Sequence, residues 1–315
     1  MSAGALEPGV ATTPPLLAFE VRRGEWRRTL WRAVRTRRGA IGLTLALAVV
    51  LVAGLGPAFA PHSGNELVNI AYSPPGAGAP LGGDTLGRDV LSRVLDGGWV
   101  LLSMSLAATV LGLVLGAAAG IVAAYVGGWP DSVIMRTVDV VLAFPQLVFA
   151  LMLVSIAGPK VWLIVLAVGI SHAPQVARVL RAATLDISER DFVKARELNG
   201  VSRLKIMTGE ILPNLTSPLT VEGGLRLTYS IVVISGLSFL GFGQPPPAAN
   251  WGYMISENRI GLTTNPWALI VPAALIALLT IGVNVFTDSV AQVAIGAEGR
   301  AEKSLLLEAA GEVEA

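Results

Sequence analysis

Residue types that carry chemistry are few in this chain. Its two histidines, His62 and His172, stand far apart in sequence, and cysteine is absent. A multi-histidine metal cluster is not expected, and disulfides, thiolate metal sites and cysteine nucleophiles are excluded. No catalytic Ser/His/Asp set stands out, so no enzyme is expected. No Gly-x4-Gly-Lys-Ser/Thr loop is present to hold nucleotide phosphates, and Lys303-Ser304 lacks the glycines. What remains is ion pairing and docking. Arg136 and Asp139 stand three apart, and Glu222 and Arg226 four apart, so each pair can close on one helix. All four fall within strongly apolar stretches, where an unpaired charge is costly. They read as structural pairs or interface anchors ahead of an ion relay. His172 and Gln175 are the better candidates for facing an aqueous path, although hydrogen-bonded packing is the favoured role for both.

The most patterned polar segment runs from Ser188 to Pro213. Ser188 with Asp191 makes a capping-type helix start. Asn199-Gly200 is a helix stop, because glycine accepts the left-handed conformation. Ser202 can cap a second helix, which must stop or turn by Pro213. Leu198, Val201, Leu204 and Met207 supply an apolar ridge. Two short helices bent at Gly200 form a charged, exposed elbow suited to a partner's groove.

The elements that must carry this elbow are membrane spans. The chain has 315 residues, 53% hydrophobic and only 14% charged, where soluble domains carry about 25% charged residues. Mean hydropathy is +0.65. These numbers argue against a soluble globular protein and exclude a disordered chain. Six stretches are long and apolar enough to cross a bilayer: Gly39 to about Ala60, Trp99 to Val126, Val133 to Ile156, Val161 to Leu180, Leu219 to Leu240, and Trp267 to Val290. Ala58-Phe59-Ala60 has the form of a cleavage site, but the long tail before it and Pro61 after it favour an uncleaved helix.

Net charge is +1, and its distribution is the informative part. Eight arginines precede the first span, from Arg22 to Arg38, and seven basic residues lie between Arg178 and Lys205. The loop 61–98 holds only Arg88 and Arg93, and the loop 241–266 only Arg259. The positive-inside rule therefore puts both termini and the elbow in the cytoplasm.

The expected organisation is a basic tail over 1–38, a first span with an outer loop over 39–98, a helical core over 99–296 containing the loop 188–213, and a disordered or loosely helical tail over 297–315. Within the first tail, residues 1–18 read as coil. Phe19 to Arg38, with Trp26, Leu30, Trp31 and Val34 among arginines, reads either as an interfacial helix on anionic lipid or as a plain basic anchor. Thr85 to Leu95 reads as an amphipathic helix with Leu86, Val90, Leu91, Val94 and Leu95 on the bundle. Arg88, Asp89, Arg93 and Asp96 then occupy its other side. Ala108, Gly112, Gly116, Gly120 and Ala124 recur every fourth residue, a seam for close helix approach within the chain or to a partner.

The elbow resembles the EAA loop of ABC importer membrane subunits. Ala195 matches its first alanine, Gly200 its glycine, and Leu212-Pro213 its terminal pair. The pattern departs at Lys194, Arg196 and Glu210, where it has glutamate, alanine and isoleucine. Three further stretches resemble the dipeptide/oligopeptide/nickel permeases, specifically the DppC/OppC-type subunit. These are Pro80-Leu-Gly-Gly-Asp-Thr-Leu-Gly-Arg-Asp-Val-Leu-Ser-Arg93; Gly127-Gly-Trp-Pro-Asp131 with Arg136, Asp139 and Phe144-Pro145; and Ser238-Phe-Leu-Gly-Phe-Gly-Gln-Pro-Pro-Pro247 with Asn250-Trp-Gly-Tyr-Met254.

The resemblance spans Thr36 to Gly296. It implies an all-α, polytopic type I importer permease fold in a bacterial cytoplasmic membrane, forming half of a path for peptides or a related small solute such as nickel. It implies a homologous second permease, two ATP-binding subunits and an extracytoplasmic substrate-binding protein as partners, with no nucleic acid. ATP and Mg would be bound by the ATPase subunits, and no cofactor by this chain. Lys194, Ala195, Glu197, Gly200, Leu204, Leu212 and Pro213 become the expected ATPase-coupling residues. The competing reading is an ion-gradient-driven secondary transporter, which would call for broken helices or coupling carboxylates at mid-membrane.

Overall fold

The structure, a computed structural model, describes residues 25–313 apart from 77, 245 and 246, with side chains described over 27–294. The coil expected over 1–18 lies outside the described residues. Among the described residues no strand forms, only isolated bridges such as Leu67 with Arg88.

The first span is α2 (Arg37–Phe59), preceded by the short helix α1 (Glu25–Arg35). Helix α3 (Val90–Asp96) leads into α4 (Gly98–Val126). Then come α5 (Gly128–Leu142), α6 (Gln146–Ala157) and α7 (Val161–Ser188). The elbow is α8 (Asp191–Leu198), α9 (Arg203–Ile206), a π-turn at Met207–Ile211 and the single turn α10 (Leu212–Asn214). Helix α11 (Thr216–Leu237) ends in a second π-turn, Ser238–Phe242. Helix α12 (Trp251–Asn258) and α13 (Trp267–Val313) complete the chain, the last running helically through the segment after Gly296. Among the described residues five helices are long and apolar enough to cross a membrane, or six if the pair α5 and α6, bent by 86°, is counted as one span.

That bend corrects the continuous third span expected over Val133 to Ile156. Pro145 has no amide hydrogen and disfavours helical backbone at Phe144. The Phe144 amide closes on the Val141 carbonyl at 3.2 Å, and Pro145 restarts the chain as the extended residue before α6.

The small-residue seam faces this chain's own α7. All five of its residues are buried on α4. A Cβ on Gly116 would lie 2.5 Å from the Val176 Cβ, and one on Gly120 would lie 2.6 Å from the Ala177 carbonyl. Gly42 and Gly282 pack the α2–α13 pair in the same way, each facing the other helix's backbone. Gly116→Val is expected to destabilise the bundle by about 1–3 kcal/mol, the cost of overpacking a tight contact. Thermal unfolding of the detergent-solubilised protein reads this directly.

The outer loop departs from the expected amphipathic helix. Gly87, at φ +85°, keeps residues 85–89 non-helical, and α3 begins only at Val90 with Asp89 as its cap. The charged side is buried, not wet. Arg88 and Arg93 flank Asp84 at 2.6 and 3.3 Å and Glu257 of α12 at 2.6 and 3.3 Å. Neighbouring bonds complete the clasp. Trp251 Nε1 donates to the Val94 carbonyl at 2.7 Å, and Asn265 Nδ2 donates to the Leu81 and Gly83 carbonyls.

Candidate functional site

The elbow extends α7 directly, since that helix runs to Ser188, two turns past its expected end. Ser188 does not cap α8. Its hydroxyl donates back to the Leu185 carbonyl, and Arg190 occupies the cap position of α8 without a side-chain bond. Asp191 in the first turn still complements the helix dipole.

At the other end of α8 the glycine stop forms as expected. Gly200 has φ +72°, its amide donates to Glu197 and the Val201 amide to Arg196. These two bonds are a Schellman closure, which fixes the direction in which the chain leaves α8. Asn199 reinforces it by donating its side-chain amide to the Ala195 carbonyl at 2.8 Å.

The second arm does not stop before Pro213. Ser202 stands at its cap position without a side-chain bond, and the helix passes through the π-turn, where the Leu212 amide reaches back to the Met207 carbonyl. A widened turn makes room for the Pro213 ring, which would clash with the carbonyl four residues earlier in a regular helix. The break comes at Leu215, after which α11 begins.

The expected apolar ridge divides. Val201 and Met207 are half-buried against the bundle, whereas Leu198 is 90% and Leu204 67% exposed. The anchoring face is one the sequence reading missed. Val193, Ile206, Ile211 and Leu215 are fully buried and pack with Ala117 and Ile121 of α4 and Val176, Leu180 and Ile187 of α7. Ile206 and Ile211 fall five apart, the repeat of a π-turn, so a search at helical spacing does not pair them. Tyr125, at the end of α4, donates to Glu197 at 2.7 Å and ties α8 to the same base.

Lys194, Ala195, Glu197, Gly200, Leu204 and Leu212 are exposed, and Pro213 is half-buried. The structure thus gathers the expected docking residues on one segment, with Leu198 and Leu204 as its uncovered apolar points. Two of the three departures from the importer pattern meet: Arg196 and Glu210 form an ion pair at 3.0 Å that bridges the two arms. Arg196 is exposed and Glu210 half-buried at the surface, so a double-mutant cycle of Arg196→Ala and Glu210→Ala should return about 0.2–1 kcal/mol in unfolding measurements.

Three polar pairs link the helices above the elbow, beside one pair within α11. Arg226 pairs with Glu222 at 3.0 Å, as expected, and also donates to Gln175. Arg136 and Asp139 do not pair with each other; Asp139 binds Arg178 of α7 at 2.5 Å. Asp131 receives both arms of Arg181 at 2.6 Å. This cross-helix pairing was not visible at short sequence range.

His172 is fully buried. With the Gln146 amide donating to Nδ1 at 2.8 Å, Nε2 donates to the Ser230 hydroxyl at 2.9 Å. Ser230 can then donate to Thr109 at 3.1 Å, which donates to the Ser105 carbonyl at 2.7 Å. His172, Ser230 and Thr109 are each satisfied by their neighbours, which makes this chain interhelical packing, not an open ligand site.

Residues 112–294 match the family described as binding-protein-dependent transport system inner membrane component. The chain is 36% identical over 266 residues, 84% of its length and 90% of the relative's, to a putative peptide transport system permease protein of Brucella suis biovar 1. It is 32% identical over 268 residues, 84% and 89% of the two lengths, to a putative peptide permease protein of Brucella ovis. It is 29% identical over 264 residues, 84% and 87% of the two lengths, to the dipeptide transport system permease protein DppC of Alkalihalophilus pseudofirmus.

Proposed function

The chain belongs to the binding-protein-dependent transport inner-membrane components, as an ABC importer permease of the dipeptide/oligopeptide family, and from that premise we propose that its elbow is the lever through which ATP hydrolysis drives transport. Asp191 to Pro213 seats in a cleft of an ATPase subunit, with Leu198 and Leu204 in apolar contact and Lys194, Ala195, Glu197, Gly200, Leu212 and Pro213 setting its shape. The observation that carries this reading is the elbow's two-sided construction. One side is fully buried on α4 and α7, and the other presents exposed leucines.

A push on such a body moves the α4–α7 pair, because close backbone packing along the glycine seam transmits displacement without slack. Rocking of that pair against a homologous permease alternates access between the two sides of the membrane. The chain supplies half of the path, for peptides delivered by an extracytoplasmic binding protein. Two ATP-binding subunits hold the nucleotide and Mg. Both termini and the elbow lie in the cytoplasm, as the basic segments require.

The test is uptake into proteoliposomes containing the full complex. Peptide accumulation is expected to require ATP and the ATPase subunits. Uptake by this chain alone, sustained by an ion gradient, would replace the proposal with a secondary transporter.

A further inference from the structure

Helix α1 is fastened on one side and bare on the other. Ala33 is fully buried. Its carbonyl accepts from the Thr36 hydroxyl at 2.8 Å, and that hydroxyl also meets Ser289 of α13 at 2.6 Å. A Cβ on Gly39 would lie 2.0 Å from the same carbonyl, so α1, α2 and α13 meet with no room for a side chain. Thr36 is extended, at φ −73° and ψ 146°, and caps α2. The chain therefore turns a corner at the point where the first apolar span begins, and α1 is held at the level of that end of the span.

The bare side is cationic. Arg27, Arg28, Arg32 and Arg35 are exposed, and among the described residues none of them enters an ion pair. Trp31 is 58% exposed, with the Arg35 guanidinium 4.8 Å from its ring centre. Arg27, Arg28, Leu30, Trp31 and Val34 together form an open, shallow surface of α1 that mixes cationic and apolar groups.

We propose that this face of α1 is a docking surface for the headgroups of anionic phospholipids. The arginines meet the phosphates, and Trp31 with Leu30 rests at the boundary with the acyl chains. Three observations select a lipid. The helix is fixed beside the start of a membrane span, the exposed charge among its described side chains is of one sign, and its uncovered aromatic is the amphipathic type that settles at membrane interfaces. This surface is separate from the elbow and does not depend on the transport reading.

The test uses the purified full-length chain, delipidated in non-ionic detergent. It is titrated with phosphatidylglycerol or phosphatidylcholine, and bound lipid is counted by native mass spectrometry. Phosphatidylglycerol should be retained in preference to phosphatidylcholine. The combined variant Arg27→Gln, Arg28→Gln, Arg32→Gln, Arg35→Gln should lose that retention by about tenfold or more. Glutamine keeps helix propensity, so the helix itself survives. In nanodiscs containing brominated phosphatidylglycerol, the quenched emission should fall in Trp31→Phe.

Equal retention of the two lipids, or undiminished retention by the combined variant, would overturn the proposal. So would displacement of phosphatidylglycerol by inorganic phosphate, or unchanged quenching in Trp31→Phe. Capture of an ATPase subunit through α1 in lipid-free detergent, lost in the combined variant, would assign the surface to a protein instead.

Discussion

The Gly200→Pro variant should reach the membrane normally and lose ATP-driven peptide uptake by about tenfold or more, a change that needs only about 1.4 kcal/mol of lost coupling. Gly200 sits at φ +72° with no atom within 4 Å of where a Cβ would be. Proline fixes φ near −65° and removes the amide that donates to Glu197. The Schellman closure then cannot form, and the second arm must leave α8 in another direction. Crowding plays no part, so the substitutions should rank by backbone preference alone. Gly200→Asn should stay close to the parent, because asparagine tolerates the left-handed region. Gly200→Ala should fall between them, carrying a local penalty of about 1–2 kcal/mol. Because Val193, Ile206, Ile211 and Leu215 anchor the elbow independently, thermal stability should change far less than uptake. Uptake and melting temperature measured across the three variants check this, and equal uptake throughout would show that the corner does not matter.

A stability effect larger than any in the elbow is expected at the opposite end of the bundle. Asp84 is fully buried and accepts from the Arg88 side chain and from the Leu86 and Arg88 amides, with Arg93 3.3 Å away. Asp84→Ala strips a carboxylate from between two buried guanidiniums and leaves Glu257 to balance both. Removing one partner of a buried ion pair costs about 3–5 kcal/mol, because the remaining charge is neither solvated nor matched. The outer loop should detach from α12, and solubilised protein should unfold at markedly lower temperature. Asp84→Asn keeps an acceptor for the two amides and should be less severe. Melting of the two variants beside the parent tests this, and near-parental stability of Asp84→Ala would mean that the clasp is solvated.

How far the sequence could be read follows from the range of each interaction. The spans were legible because hydrocarbon thickness fixes a run length, and the Gly200 corner because one residue type carries the needed conformation. Phe144-Pro145 could be quoted as a motif, yet its consequence, the bend between α5 and α6, depends on tolerance in the surrounding bundle and was missed. The outer-loop arginines illustrate the opposite failure. Period and polarity put Arg88 and Arg93 in water, but Glu257, which helps bury them, lies far along the chain. Asp139 likewise had a plausible partner three residues away in Arg136, and took Arg178 from another helix. In the elbow, the exposed half of the apolar ridge was visible, whereas the anchoring half was hidden by the π-turn's five-residue repeat. The family pattern supplied the expected docking residues. The ion pair between Arg196 and Glu210 then gives a structural account of two places where this chain leaves that pattern.

Site-specific crosslinking from Leu198 and Leu204 in the assembled transporter tests the lever most directly. A photoreactive residue at either position should capture an ATP-binding subunit, and the yield should change between nucleotide-free and ATP-bound states. Capture only of lipid or of an extracytoplasmic protein, with no nucleotide-binding partner in any state, would contradict the account.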